Sequence, residues 1–190
     1  MKWSTAGLQV VISILNLASA VMSEIKTTAT IAFTIRLASD SDAPALAKLR
    51  YALRSSMGVV KEPEFEFLNR CATWMKEHLK AGSSWQCWVA EKDQELIGCL
   101  WLQLVEKIPN PRSEPEHHAY ITNFFIQEFA RGKGIGSRLL STAIAWCEGR
   151  DVHAVILWPT ERSRSLYQRS GFAVRDDLME LLITPASTEK

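Results

Sequence analysis

Arg131-Gly132-Lys133-Gly134-Ile135-Gly136-Ser137-Arg138-Leu139-Leu140 is the stretch on which the reading of this chain turns. It follows a strongly β-like run, His118 to Gln127, and opens an amphipathic helix over 133–148 that Gly149 stops. Alternate glycines let a backbone approach a ligand without interference from Cβ atoms. The start of a helix presents unpaired N–H groups and a partial positive charge. Together these make an anion cradle, most naturally for a phosphate, and Arg131, Lys133 and Arg138 add charge to it. Taken alone, the glycines fit a plain strand-to-helix turn equally well. A Walker loop is absent, and Ser137 stands where a dinucleotide fingerprint needs its third glycine.

Outward from this turn the chain is periodic from residue 31. Phe33 to Leu37 alternates as a strand, and Ser39-Asp40-Ser41-Asp42-Ala43-Pro44 is a helix start. Pro63 opens a second helix, which Gly82 ends. Trp85 to Glu91 and Glu95 to Val105 flank Lys92-Asp93-Gln94, which predicts a hairpin. Residues 106–117 are proline-rich and read as a loop. After the glycine-rich helix come a short strand, His153 to Trp158, and a short helix, Glu161 to Ser170. One or two final strands are expected over 172–183. The order β-α-α-β-β-β-α-β-α-β predicts a mixed α/β domain, an α+β mixed sheet, over 31–185.

The composition suits one globular domain: 190 residues, 47% of them hydrophobic. With 22 Lys+Arg against 21 Asp+Glu, the net charge of +1 argues against a dedicated nucleic-acid-binding domain. The charge is uneven. Residues 131–175 carry eight basic and three acidic side chains, so the basic segment coincides with the cradle. Trp74, Trp85, Trp88 and Trp101 fit core packing best, with an acceptor pocket as the alternative.

Cys71, Cys87, Cys99 and Cys147 form no C-x-x-C pair, and no metal is expected. Cys87 and Cys99 would come close together across the hairpin. Reduced, buried cysteines in a cytoplasmic protein are the plainer reading. Adjacent His117 and His118 on a strand would point to opposite faces, which disfavours a metal site. Residues 1–30 read as an apolar extension. Leu8 to Val21 ends in Ala18-Ser19-Ala20, a signal-like pattern, while Met22 offers an alternative start. An over-extended start or loose segment, a genuine signal and a docking helix all remain open. The apolar run is short for a membrane span, and no membrane association is expected.

Arg131-x-x-Gly134-x-Gly136 resembles the [QR]-x-x-G-x-[GA] signature of the GNAT superfamily, the acyl-CoA-dependent N-acyltransferases. Ala119 to Ile126 and Leu139-Leu140 resemble that family's fourth strand and third helix. Ser165-Leu166-Tyr167-Gln168-Arg169-Ser170-Gly171-Phe172 resembles its second hallmark, a short helix with Tyr followed by Gly-Phe. The match covers about residues 119–173. It implies a central mixed sheet whose fourth and fifth strands splay apart, flanked by helices.

The resemblance implies acetyl-CoA as co-substrate. The backbone of Arg131, Gly132, Lys133, Gly134, Ile135, Gly136 and Ser137 would hold its pyrophosphate, and that of Phe125 and Ile126 its pantetheine arm. A backbone N–H beside the thioester carbonyl would stabilise the oxyanion by about 3 kcal/mol. Tyr167 would protonate the leaving thiolate, with a packing role as the alternative. Asn123 would orient a water, or serve only as a strand-edge polar group. Thr160 and Ser163 stand where the family often has Asn and Ala, which puts direct CoA contact there in doubt. Only about one lysine-like amine in a few thousand is neutral at pH 7, so a base or a water chain is expected. His118 and Glu116 stand near the strand entrance, yet no base is securely named. The implied activity is direct acetyl transfer to a small-molecule or peptide amine, since no cysteine sits in either motif. The different-class alternative is an acyl-CoA-binding module without turnover. The acceptor and the oligomeric state stay open, a homodimer included.

Overall fold

The computed structural model describes residues 32–58, 60–181 and 183. The apolar extension expected over 1–30 lies outside them. Five strands, β1 (Thr34–Leu37), β2 (Trp85–Lys92), β3 (Glu95–Glu106), β4 (His117–Ile126) and β5 (Val152–Ile156), form one sheet in sequence order. Among the described residues four α-helices accompany it: α1 (Ala43–Ser55), α2 (Glu64–His78), α3 (Ile135–Glu148) and α4 (Glu161–Arg169). The first four strands are antiparallel, and β4 and β5 run parallel, so the sheet is mixed as expected. Among the described residues no helix is long and apolar enough to cross a membrane.

Local chemistry sets these boundaries. Asp93 and Gln94 both hold positive φ, 50° and 65°, the conformation that two-residue hairpin turns need. Ahead of α1, the Ser39 N–H donates to the Asp42 carboxylate at 2.7 Å, closing a capping box. Pro63 caps α2 without needing a hydrogen bond of its own.

Both faces of the sheet are covered. Ala90, Ile97, Leu100, Ala119 and Ile121 pack on one side with Leu139, Leu140 and Ala143 of α3. On the other side Val89, Cys99, Trp101 and Phe125 pack with Leu46 and Ala47 of α1 and Met75 of α2. Along a regular strand Ala119, Ile121 and Phe125 would share a face. They do not, because β4 carries one extra residue: Cys99 pairs with Phe125 but Trp101 pairs with Thr122. Asn123, at φ 45°, absorbs the bulge, and the side chains beyond it change faces. Asn is one of the few residues with a β-carbon that enter this region readily.

One expectation needs correction. Residues 172–183 form no strand among those described. Instead Arg175 pairs with Asp177 two positions on, turning the chain, and Met179 is 95% exposed. Cys87 and Cys99 do lie near one another across the hairpin, on one face and diagonally placed: Cys87 pairs with Trp101 and Cys99 with Val89. All four cysteines are free, and burial pushes the Cys99 thiol up to about 12.

Five of the tryptophans make ring contacts on the two faces of the sheet. Trp74, Trp85 and Trp101 meet at 5.2 to 6.1 Å on the α2 side, and Trp88 meets Trp146 at 5.6 Å on the other.

Candidate functional site

β4 and β5 pair only from His117 with Val152 to Tyr120 with Ile156. Beyond Tyr120, β4 continues to Ile126 while the chain after β5 leaves for α4. A cleft of about 850 Å³ opens where the strands part. Its walls are the splayed half of β4, the start of α3, the inner face of α4 and the C-terminal half of α1.

The glycine-rich turn forms one wall. Gly132 and Gly134 hold φ 73° and 77°, where a side chain would strain the backbone. Gly136 is different: it lies within α3. A Cβ there would project between Leu166 and Phe124, 3.5 and 3.6 Å away, and so into the gap beside β4. Without that carbon, the α3 backbone at Gly136 borders the cleft beside Leu166 and Phe124 directly. The first N–H groups of α3 point outward from the helix start, as an anion cradle requires.

Tyr167 closes the opposite side. The Phe172 N–H donates to the Tyr167 carbonyl at 3.1 Å, and the Gly171 N–H to that of Gln168 at 3.1 Å. Gly171 sits at φ 90°, completing a Schellman ending to α4. The Phe172 ring then packs edge-on to Tyr167 at 5.6 Å, and Phe124 lies 6.3 Å away. The tyrosine is 7% exposed, and burial pushes its hydroxyl up to about 12. That hydroxyl makes no hydrogen bond among the described residues, although Tyr167 lines the cleft. It stays protonated and is not committed to a protein partner.

Asn123 lines the cleft at the bulge, and its side-chain oxygen accepts from Arg50 Nη1 at 3.4 Å. Arg50, Arg54, Arg131, Arg162 and Arg169 all line it, whereas no Asp, Glu or His among the described residues does. Burial lowers the Arg50 pKa, and the neighbouring Arg54 charge lowers it further.

Most residues singled out from sequence meet here: Asn123, Phe125, Ile126, Arg131, Gly132, Gly134, Ile135, Gly136, Ser137, Thr160, Ser163 and Tyr167. Lys133 is not on the cleft wall, and its ammonium group donates to the Phe129 carbonyl at 2.8 Å. The Ile126 carbonyl already accepts from Arg131 Nε at 3.0 Å, so Arg131 braces the strand end. Thr160 and Ser163 cap α4, with the Thr160 N–H donating to Ser163 Oγ at 3.0 Å. His118 lies ahead of the cleft, its ring 5.4 Å from that of His153. Sequence reasoning missed Arg50, Arg54, Arg162 and the Tyr120–Trp158 ring pair, 5.1 Å apart. Arg50 and Arg54 did carry a signal: they stand one helical turn apart with no acidic residue three or four positions from either.

Comparison with known proteins agrees with this geometry. No curated protein sequence matches the chain. Solved structures do. A predicted acetyltransferase with acetyl-CoA from Clostridium acetobutylicum is 22% identical, with a TM-score of 0.67, covering 80% of this chain and 96% of its own. Glucosamine-6-phosphate N-acetyltransferase from Arabidopsis thaliana is 18% identical, with a TM-score of 0.61, over 80% and 99%. Ribosomal-protein-alanine N-acetyltransferase from Brucella melitensis biovar Abortus 2308 is 18% identical, with a TM-score of 0.58, over 80% and 99%. At these identities the likeness shows the fold. The model of the acetyltransferase (GNAT) family matches residues 49–172, about two thirds of the sequence and nearly every cleft residue. The chain therefore belongs to the GNAT acetyltransferase family.

Proposed function

We propose that this protein transfers an acetyl group from acetyl-CoA to the primary amine of a small molecule or peptide by direct attack. The observation that carries the reading is the single cleft that joins the glycine-rich start of α3 to Tyr167 past the splayed half of β4. The α3 N–H groups, with Arg162 and Arg169 nearby, suit the pyrophosphate. The gap that a Cβ on Gly136 would fill suits the thin arm leading from it. No metal enters the reaction as proposed.

The neutral amine nitrogen attacks the thioester carbonyl carbon, a C–N bond forms and the C–S bond breaks. The departing thiolate takes the Tyr167 hydroxyl proton, and the amine proton leaves to water. Burial keeps Tyr167 protonated up to about pH 12, so the acid form is still present where an amine with a pKa of about 10.4 becomes largely neutral. Asn123 holds its side chain at the bulge, where it can orient the water that takes the amine proton. With no carboxylate or imidazole among the described residues of the cleft wall, deprotonation is helped instead by the positive wall itself. Nearby guanidinium charges disfavour an ammonium ion and lower its pKa.

The same lack of a base favours a second reading, a module that binds acyl-CoA without turning it over. Thiol release from acetyl-CoA across a panel of amino acids, polyamines, aminoglycosides and peptide N-termini separates the two. Amine-dependent release supports transfer. Binding without release from any amine would leave the module.

A further inference from the structure

Five of the twelve arginines have a carboxylate partner among the described residues; of the seven that do not, Arg50, Arg54, Arg162 and Arg169 line the cleft. Arg36, Arg70, Arg131, Arg164 and Arg175 each have a carboxylate within 4 Å. Arg50 and Arg54, on the cleft wall formed by α1, have none among the described residues. Arg54 has only a long contact with the Met57 sulfur at 4.0 Å. Arg50 is half-buried and meets a neutral amide oxygen at 3.4 Å.

That arrangement is costly as it stands. Like charges four residues apart on a helix repel. A guanidinium withdrawn from water without an anion loses hydration that a neutral dipole does not replace. The charges that act on Arg50 are Arg54, which opposes its positive form, and weak contributions from Cys71, Cys99 and Tyr120. No Asp or Glu is among them. Among the described residues, then, no carboxylate offsets the Arg50 charge.

CoA has its own cradle elsewhere. The start of α3 packs on one face of the sheet, whereas α1 packs on the other with Phe125 and Trp101. The cleft passes between β4 and the chain beyond β5, so α1 meets it from the side opposite α3. Ser56, Met57 and Thr122 lie beside the arginine pair, with space for a small molecule. A planar guanidinium fork matches a carboxylate or a phosphate through paired hydrogen bonds.

We propose that Arg50 and Arg54 form an anion clamp that selects amine acceptors bearing a carboxylate or phosphate group. This inference rests on the acetyl-transfer reading and adds the acceptor's chemistry to it. The clamp holds the anion on the α1 side and leaves the amine directed toward β4. Attraction between the clamp and the acceptor weakens as salt rises.

Matched pairs test it: β-alanine against β-alaninamide, and phosphoethanolamine against ethanolamine. Each is assayed for thiol release at saturating acetyl-CoA and for thermal stabilisation of the protein, with and without CoA. In at least one pair the anionic member is expected to have the higher kcat/KM, by about tenfold, and to stabilise the protein where its neutral partner does not. Which pair responds identifies carboxylate or phosphate. Arg54→Gln and Arg50→Met are expected to bring the pair to near parity through a higher KM. Arg54 is exposed, so its variant tests the clamp even where the Arg50 variant fails to fold. Neutral members that bind and react as well as the anionic ones in both pairs overturn the clamp. Acetyl-CoA that neither stabilises the protein nor releases thiol with any amine overturns the transfer reading instead. The stabilisation assay without CoA still decides the clamp in that case.

Discussion

The Tyr167 carbonyl accepts the N–H of Phe172 at 3.1 Å while the two rings meet edge-on at 5.6 Å. One backbone bond and one ring contact thus fix the tyrosine that faces the cleft. Both depend on Gly171, whose φ of 90° lets the chain reverse immediately after α4. The helix ending and the proposed proton donor are one structural unit.

Gly171→Ala should therefore act at a distance. Nothing lies within 4 Å of the added methyl group, so the cost is backbone strain alone, about 1 kcal/mol. The melting temperature should fall by a few degrees. Turnover should fall further than the stability loss explains, because Tyr167 loses its fixed position. Unchanged turnover in a folded variant would show that the ending does not position the tyrosine.

Tyr167→Phe should lower kcat by about 10- to 100-fold, the modest share expected of an acid that assists a good leaving group. Stability should change little, since the hydroxyl makes no hydrogen bond among the described residues. Stabilisation by acetyl-CoA should persist. Wild-type turnover in this variant would return Tyr167 to a packing role.

The pH profile should carry no descending limb from this residue up to pH 10. Burial disfavours the phenolate and raises the pKa from 10 to about 12, so the acid form persists below that value. Rates corrected for the neutral fraction of the amine should stay level from pH 7 to 10. A fall centred near 10 would mean that Tyr167 titrates as an exposed tyrosine.

Gly136→Val separates the cradle from the fold. The β-carbon meets Leu166 and Phe124 at ordinary contact distances, the two γ-carbons extend beyond it, and the backbone there is helical. Thermal stability without ligand should drop by only about 1 kcal/mol, the scale of a β-branched residue in a helix plus minor crowding. The increase in melting temperature caused by acetyl-CoA should disappear. Gly134→Glu should abolish it as well, but with strain added at φ 77°. A full ligand shift in Gly136→Val would place the arm elsewhere.

Asp42 links the end of β1 to the start of α1 through Arg36 at 2.8 Å. The hydrogen bond from Arg36 holds its carboxyl down from 3.8 to about 2. A lowered folded-state pKa stabilises the protein above the unfolded value and is lost as pH falls through the folded one. Asp42→Asn should cost about 1 kcal/mol at pH 7, a value discounted because Arg36 is partly exposed. The gap between variant and wild type in denaturant titrations should narrow between pH 4 and pH 2.

The order of elements, the hairpin at Asp93-Gln94, the glycine-rich helix start and the Tyr-Gly-Phe ending were all legible in the sequence. Each is local: hydrophobic period, turn chemistry and capping act over a few residues, so neighbours in the chain reveal them. The strand expected over 172–183 was not realised, because a run of apolar residues does not state which edge it would join. Of the four tryptophans read as core, Trp88 and Trp101 are buried, on opposite faces of the sheet, while Trp74 is 39% exposed.

Tertiary structure alone decided the rest. The bulge at Asn123 depends on the register between β3 and β4, which one strand's sequence does not encode, and it moves Phe125 to the α1 face. The parting of β4 from β5 after Tyr120 creates the cleft from segments more than 100 residues apart. It brings Arg50 beside Asn123 across 73 positions of chain. Local pattern determined what each segment would become. Which charges would share a cleft, and which would lack a counter-ion there, was set only when packing removed water and fixed distances between remote residues.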